Sequence, residues 1–215
     1  MSEQVKIDEI FRTIQGETTH TGWPFAFVRL AGCNLRCRWC DTPAARSEGH
    51  AMSVAEVLDR VGAFGCRRVL VTGGEPLIQA GTVDLLARLC DAGFRTLLET
   101  NGSRDVGRVD PRVVRIVDVK CPSSGHADAT CWDNLDRLAA DDEVKFVVAD
   151  ADDYAYACDV ISRYGLTERV AVTFTPVADE LDPGELASWM LADGLDVRLG
   201  VQVHKVIWPG RTRGV

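Results

Sequence analysis

Three cysteines, Cys33, Cys37 and Cys40, fall within eight residues in the stretch AGCNLRCRWCDT. Thiolates crowded in this way hold metal, and a thiolate metal site normally takes four ligands. Three means either a distant fourth partner or a coordination position left open. A structural zinc site would want another Cys or His at paired spacing, and none of His20, His50, His126 and His204 stands at one. A redox or nucleophilic cysteine usually comes singly or as a CxxC pair beside a basic group. An iron-sulfur cluster on three thiolates leaves one iron free for an exogenous ligand, which is what radical chemistry requires. Cys66, Cys90, Cys121, Cys131 and Cys158 are scattered and read as packing residues.

The groups around the triplet must be carried by regular elements, and the chain has room for them. Its 215 residues are 46% hydrophobic, enough to bury one core, so a single domain over 1–215 is expected. The 24 basic against 32 acidic residues leave a net charge of −8, which opposes a mainly electrostatic hold on nucleic acid or an anionic membrane. A small molecule is the expected partner. The start, MSEQVKIDEIF, has neither a basic n-region nor an apolar h-region, and nothing later approaches the roughly 20 apolar residues of a membrane span. A cytoplasmic setting is therefore expected, with thiols kept reduced.

Apolar runs at 5–14, 24–31, 67–72, 94–99, 114–119, 143–148, 168–174 and 197–203 read as strands. They alternate with helical patterns. SVAEVLDRVGAFG opens on Ser53 with a capping box to Glu56 and closes at glycine. TVDLLARLCDAG, DDYAYACDVISRYG and DPGELASWMLADG follow the same grammar, acidic early and glycine-stopped. The segments 103–113 and 121–142 lack it, so an α/β fold of partial (β/α) barrel type is expected. QGE, AGCNLRC, TGGEP, ETNG, DVKCP, FTPV and QVHK each follow an apolar run. In a parallel barrel those ends gather on one rim, where active sites are built. Turn residues alone explain some of these clusters, but not the cysteines, Glu75, Glu99, Lys120 or His204.

Cys33-x3-Cys37-x2-Cys40, with Trp39 before the last cysteine and TGGEP on the next unit, resembles the radical S-adenosylmethionine superfamily. The resemblance implies a [4Fe-4S] cluster whose open iron chelates S-adenosylmethionine, which is then cleaved to a 5′-deoxyadenosyl radical. Glycines in TGGEP let the backbone approach the cofactor, and Pro76 stops the strand. Gly73, Gly74 and Glu75 thus read as cofactor contacts.

FRTIQGET, CDTP, ETNGS, DVKCPSSG and QVHKVIWPG together are similar to the 7-carboxy-7-deazaguanine synthases, from about residue 5 onward. That resemblance implies conversion of 6-carboxy-5,6,7,8-tetrahydropterin to 7-carboxy-7-deazaguanine with loss of ammonia, a step toward queuosine and other 7-deazapurines. Ile14, Gln15 and Gly16 are then expected against the pterin, and Arg29 against its carboxylate, a partner suited to a planar guanidinium. Glu17 is either a pterin contact or a solvated loop residue. Thr42 is expected to hold Mg2+ together with substrate oxygens, with Asp41 as alternative ligand or loop cap. Trp39, Cys40, Asp41, Glu99, Asn101, Asp118, Val119, Lys120, Thr175, Pro176 and Val177 are expected around the cofactor, and Thr72, Gln202, His204 and Lys205 around the substrate. An external electron donor of flavodoxin or ferredoxin type and a homodimer are also expected.

A glycyl-radical activase is the nearest enzyme alternative, and FRTIQGE and QVHKVIW argue against it. A non-enzymatic metal scaffold is the other. Some family members end just after the equivalent of Pro209 and present their terminal carboxylate to substrate, whereas GRTRGV continues here. Arg211, Arg213 and the Val215 carboxylate are all candidates for that place.

Overall fold

The computed structural model describes residues 4–46 and 48–215. Its strands are β1 (Gln4–Ile14), β2 (Pro24–Leu30), β3 (His50–Ser53), β4 (Arg68–Gly73), β5 (Arg95–Thr100), β6 (Val114–Val119), β7 (Glu143–Val148), β8 (Ala171–Pro176) and β9 (Arg198–Leu199). They form one sheet in the order β3-β1-β2-β4-β5-β6-β7-β8-β9. From β2 to β9 every pairing is parallel, while β1 runs antiparallel to both β2 and β3. The outermost strands do not pair with each other, so this is a partial (β/α) barrel.

Helices α1 (Val54–Ala63), α2 (Gly81–Asp91), α3 (Asp133–Asp136), α4 (Ala151–Tyr164), α5 (Pro183–Asp193) and α6 (Val203–Ile207) complete the chain. Their boundaries follow from capping chemistry. Ser53 accepts from the Glu56 amide while Glu56 accepts from the Ser53 amide, and Asp150 and Asp182 cap α4 and α5 in the same sense. Gly165 and Gly194 end those two helices in the left-handed region, at φ 57° and 62°. Helix α2 lacks a side-chain cap at Ala80, and Arg88 and Asp84 pair along its surface instead.

Strand alternation sorts the side chains into two layers. Val28, Val69, Val71, Leu98, Val117, Phe146 and Phe174 face outward and pack with Val57, Leu85, Leu86, Ala157 and Leu186 of the helices. Each such fully buried side chain contributes roughly 1.5–3 kcal/mol. Residues one step out of phase, Phe25, Phe27, Leu70, Leu97, Val114 and Ile116, form a smaller apolar floor on the other face, with Phe11 packed against it. Helices are missing or rudimentary between β5 and β6 and between β6 and β7, where the sequence offers no helix grammar.

Three expectations need correction. Strand β3, opened by His50 and paired antiparallel with β1 through Gln4–Ile7, lies outside the runs read as strands; four residues before a capping box carry too little pattern to be read as a strand. The run 197–203 yields only the two residues of β9, and Val203–Ile207 turn into α6, so His204 sits on a short helix and not at a strand end. QGE also leaves its strand at the opposite end of the sheet from the clusters that follow β2, β4, β5, β6 and β8, and meets QVHK there. Because β1 is antiparallel, Ile14 pairs with Pro24 at the start of β2, and the loop beyond it bonds to Glu143 at the start of β7 through Thr19.

Candidate active site

Two residues beyond the apolar floor the inner face turns polar: Phe27 gives way to Arg29, Leu70 to Thr72, Leu97 to Glu99 and Ile116 to Asp118. On β7, Lys145 is level with Asp118 on one side and Thr173 on the other. These side chains open into a cavity of about 510 Å³, which runs from the cysteine loop to the 15–17 loop and the 202–205 segment.

The cysteine loop leaves β2 and is held from several sides. Gly32 accepts from the Glu75 amide at 2.9 Å, the Arg36 amide donates to His126 Nε2 at 3.0 Å, and the Arg36 guanidinium donates to the Cys33 carbonyl at 2.8 Å. His126, to which no sequence motif pointed, thus buttresses this loop. Arg38 lies over Trp39 and makes a bidentate pair with Glu180 at 2.7 and 2.8 Å. Cys33, Cys37 and Cys40 all line the cavity, half-buried, and burial raises the Cys37 thiol above its usual range. Gly73 and Gly74 back onto the loop: a Cβ on Gly74 would strike the Gly32 carbonyl and stand 2.7 Å from Cys33 Cβ, and one on Gly73, at φ 147°, would strike Leu30. The two glycines are required by close backbone approach.

Glu75 and Val119 are corrections. The Glu75 carboxyl is fully buried and accepts from the Leu77 and Asn101 amides and the Thr100 hydroxyl, at 2.9, 2.6 and 2.9 Å. Burial raises its pKa despite those bonds. It does not line the cavity; it fixes the backbone of Asn101, whose side-chain Nδ2 donates to Asn34 Oδ1 at 3.3 Å beside Cys33. Val119 points into the outer core. The other candidate side chains named from sequence, from Ile14 to Lys205, line the cavity.

The polar layer is organised by ion pairs. Arg29 donates to Glu9 Oε1 at 2.9 Å, Lys120 to Asp118 Oδ2 at 2.7 Å, and Lys145 to Glu17 Oε2 at 2.8 Å, with Glu99 Oε1 3.5 Å from the same ammonium. Gln202 donates to Glu17 Oε1 at 2.7 Å and to Asp41 Oδ2 at 3.2 Å, and Thr72 donates to Glu99 at 3.1 Å. Burial pushes Glu17 up, but the Lys145 charge and the Gln202 bond outweigh it and hold the carboxyl at about 2. For Glu99 burial wins and the pKa is raised. Lys145 is raised well above the lysine range because Glu17, Glu99 and Asp118 together overcome its burial. Burial lowers His204 against the pull of Glu17. Glu99, expected beside the cofactor, is therefore joined to Thr72 and Lys145.

The open side of the barrel is spanned by the C-terminal segment. Val203 donates its amide to the Gly16 carbonyl at 3.0 Å, and His204 packs so closely on Gly16 that no Cβ would fit there. Arg213 then pairs with Asp8 and the Gly214 amide donates to Glu9 at 3.2 Å, which returns Val215 to the cavity. Of the three candidates in the tail, Val215 reaches the site, while Arg213 anchors the tail outside it.

Sequence reading missed Lys145, Glu9 and Glu180. Lys145 carried the same signal as Arg29, a charge inside an apolar strand; Glu9 and Glu180 gave none, because their roles come from partners 20 and 142 residues away.

Residues 28–118 match the radical SAM superfamily. The chain is 48% identical to the 7-carboxy-7-deazaguanine synthase of Chlorobaculum tepidum, over 98% of this chain and 97% of that one. It belongs to the 7-carboxy-7-deazaguanine synthase family. The Koribacter versatilis synthase is 42% identical over 98% of this chain and all of its own. The crystal structure of QueE from Escherichia coli superposes with a TM-score of 0.75 at 27% identity, covering 91% of this chain and 92% of that one.

Membership implies a [4Fe-4S] cluster, S-adenosylmethionine and Mg2+, and the residues fit them. Among the described residues no three His, Cys, Asp or Glu side chains are close enough to share a single ion. The ligands of a four-iron cluster each bind a different iron, so the three cysteines need not converge on one point. Asp118 Oδ1 is buried without a partner on the cavity wall, an acceptor suited to the cofactor's ammonium or hydroxyl groups. Gln15 Nε2 is likewise an orphaned donor on the cavity wall. Thr42 and Asp41 stand together on the wall, with the Thr42 hydroxyl 3.4 Å from Asp41 Oδ1, an oxygen pair of the kind Mg2+ accepts. No helix among the described residues is long and apolar enough to cross a membrane.

Proposed function

We propose that this radical S-adenosylmethionine enzyme converts 6-carboxy-5,6,7,8-tetrahydropterin to 7-carboxy-7-deazaguanine with loss of ammonia, in a cavity divided into a cofactor half and a pterin half. The observation that supports the division is one cavity lined both by the three cysteines and by Gln15, Glu17 and Arg29. The cluster and S-adenosylmethionine, when bound, supply one-electron cleavage and hydrogen abstraction. Cys33, Cys37 and Cys40 hold the cluster. The bare backbone of Gly73 and Gly74, with Trp39, Asn101, Asp118, Lys120, Thr175, Pro176 and Val177, holds the cofactor.

Arg29 takes the pterin carboxylate. Its Nε is committed to Glu9, which leaves both terminal nitrogens for a bidentate contact. Thr42, with Asp41, supplies oxygen to a magnesium ion whose other ligands come from substrate and water. Gln15, Glu17, Gln202 and His204 close around the heterocycle, and Lys205 and Val215 complete that wall. A substrate held at both ends keeps one orientation while its ring bonds exchange, which is where positioning lowers a barrier most. The residues 14–17 and 202–215 act as substrate-binding extensions of one 1–215 core. The electron comes from outside the chain, from a donor of flavodoxin or ferredoxin type, and exposed Val206 and Ile207 on α6 favour a homodimer.

An anaerobic assay of the reconstituted protein with the carboxy-tetrahydropterin, S-adenosylmethionine and a reductant tests this reading. Deazaguanine absorbance should rise in step with released ammonia. Cofactor cleavage without either product would refute it.

A further inference from the structure

Lys145 is a cation on the wall of the cavity's substrate half, paired with Glu17, and no sequence motif marks it. Its side chain and that of Glu17 are 13% and 17% exposed, and the remaining exposure faces the cavity. A buried ion pair is seldom retained for stability alone, since apolar side chains of similar volume often serve as well. Val144, Phe146 and Val148 on the same strand show that such residues suit β7 on its outer face.

Counting donors and acceptors shows what the pair has left to offer. An ammonium carries three N–H groups, and here one goes to Glu17 at 2.8 Å while the 3.5 Å contact to Glu99 is long, so one N–H is free and a second is weakly held. Each Glu17 oxygen has two lone pairs; Oε1 accepts from Gln202 and Oε2 from Lys145, which leaves one on each. The pair thus presents two acceptors beside a donor. A 2-amino-4-oxo-pyrimidine edge offers the complement: an amino N–H, a ring N–H and a carbonyl oxygen in a row.

We propose that Glu17 and Lys145 read this edge, Glu17 accepting from the 2-amino and ring N–H groups and Lys145 donating to the 4-oxo oxygen, which makes Lys145 a specificity-determining residue for 2-amino-4-oxo ring systems. The inference rests on the pterin reading above. It adds that the 4-position is recognised through a fixed donor, so a 4-amino analogue places N–H against N–H. A site built to hydrogen-bond one group rejects an analogue that cannot answer it, because its buried polar groups are left unpaired.

The test is calorimetric titration of the cluster-loaded protein with S-adenosylmethionine bound, using 6-carboxypterin and 2,4-diaminopteridine-6-carboxylate, which differ at the 4-substituent and hence at N3, a donor to Glu17 only in the 4-oxo compound, so the Lys145 variants separate the lysine's share of the preference from that of Glu17. The wild type should prefer the 4-oxo compound by about tenfold or more. Lys145→Met should weaken the 4-oxo compound by about tenfold while changing the diamino compound by less than about threefold, and Lys145→Gln, which keeps a donor, should retain part of the preference. Iron content and S-adenosylmethionine affinity should stay at wild-type values in both variants. Equal affinity of the wild type for the two probes overturns the inference without any variant and leaves the pterin reading intact; so does a Lys145→Met protein that keeps the full preference or loses both probes equally. A wild type that binds neither probe overturns the pterin reading, and the inference with it.

Discussion

Arg29→Ala should weaken 6-carboxypterin binding while leaving S-adenosylmethionine binding unchanged. Arg29 is a nearly buried guanidinium with one nitrogen spent on Glu9 and its side chain only 12% exposed, so the contact it makes is charge-assisted and largely desolvated. Losing such a bidentate contact costs about 2–4 kcal/mol in binding, which corresponds to roughly 30- to 700-fold in Kd. The same substitution strands the Glu9 carboxylate, whose remaining partners are the Gly214 amide at 3.2 Å and Arg213 at 3.7 Å. A stability loss of about 1–3 kcal/mol accompanies that. The two effects separate in Arg29→Ala/Glu9→Gln, where the stranded charge is gone: stability should return and binding should not. Titration calorimetry gives the affinities and denaturant unfolding the stabilities. Normal pterin binding by Arg29→Ala, equal loss of S-adenosylmethionine binding, or recovery of pterin binding in the double variant would each refute the assignment.

Cys33→Ala, Cys37→Ala and Cys40→Ala should each abolish the cluster and cofactor cleavage, whereas Cys66→Ala and Cys158→Ala should retain both; iron content and 5′-deoxyadenosine formation check this, and an active Cys37→Ala protein contradicts it. Thr42→Ala should blunt the response of turnover to magnesium at matched iron content while cofactor cleavage stays measurable, and an unchanged magnesium response would move the ion elsewhere. Glu17, held at about 2 in the folded protein against an ordinary 4.5, contributes stability that is fully present above pH 4.5 and is lost as the pH falls through about 2. Glu17→Gln should therefore be less stable than the wild type at pH 7 in urea unfolding, with a difference that narrows below pH 4.5; a difference that widens there would reverse the assignment of Lys145 as its stabiliser.

Short-range chemistry determined much of this protein. The cysteine spacing, the Ser53–Glu56 capping box, the glycine helix stops and the alternating strands are all set by residues within a few positions of one another, so they are legible without a fold. The same holds for the absence of full helices between β5 and β7, since no apolar period was there to support them. Tertiary structure decided whatever depends on strand direction or on distant partners. TGGEP reads locally as three cofactor contacts, yet Glu75 turns inward because the Asn101 and Leu77 amides and the Thr100 hydroxyl meet it there. QGE follows an apolar run like the other clusters, but the antiparallel course of β1 sends it to the far end of the sheet, where Glu17 meets Lys145 across 128 residues and Gln202 across 185. Ionisation is decided at the same level: Glu17 and Glu99 are the same residue type and both are buried, and their pKa values are driven apart by the 2.8 Å and 3.5 Å distances to one shared ammonium, by the Gln202 bond to Glu17 and by the Glu17 charge beside Glu99.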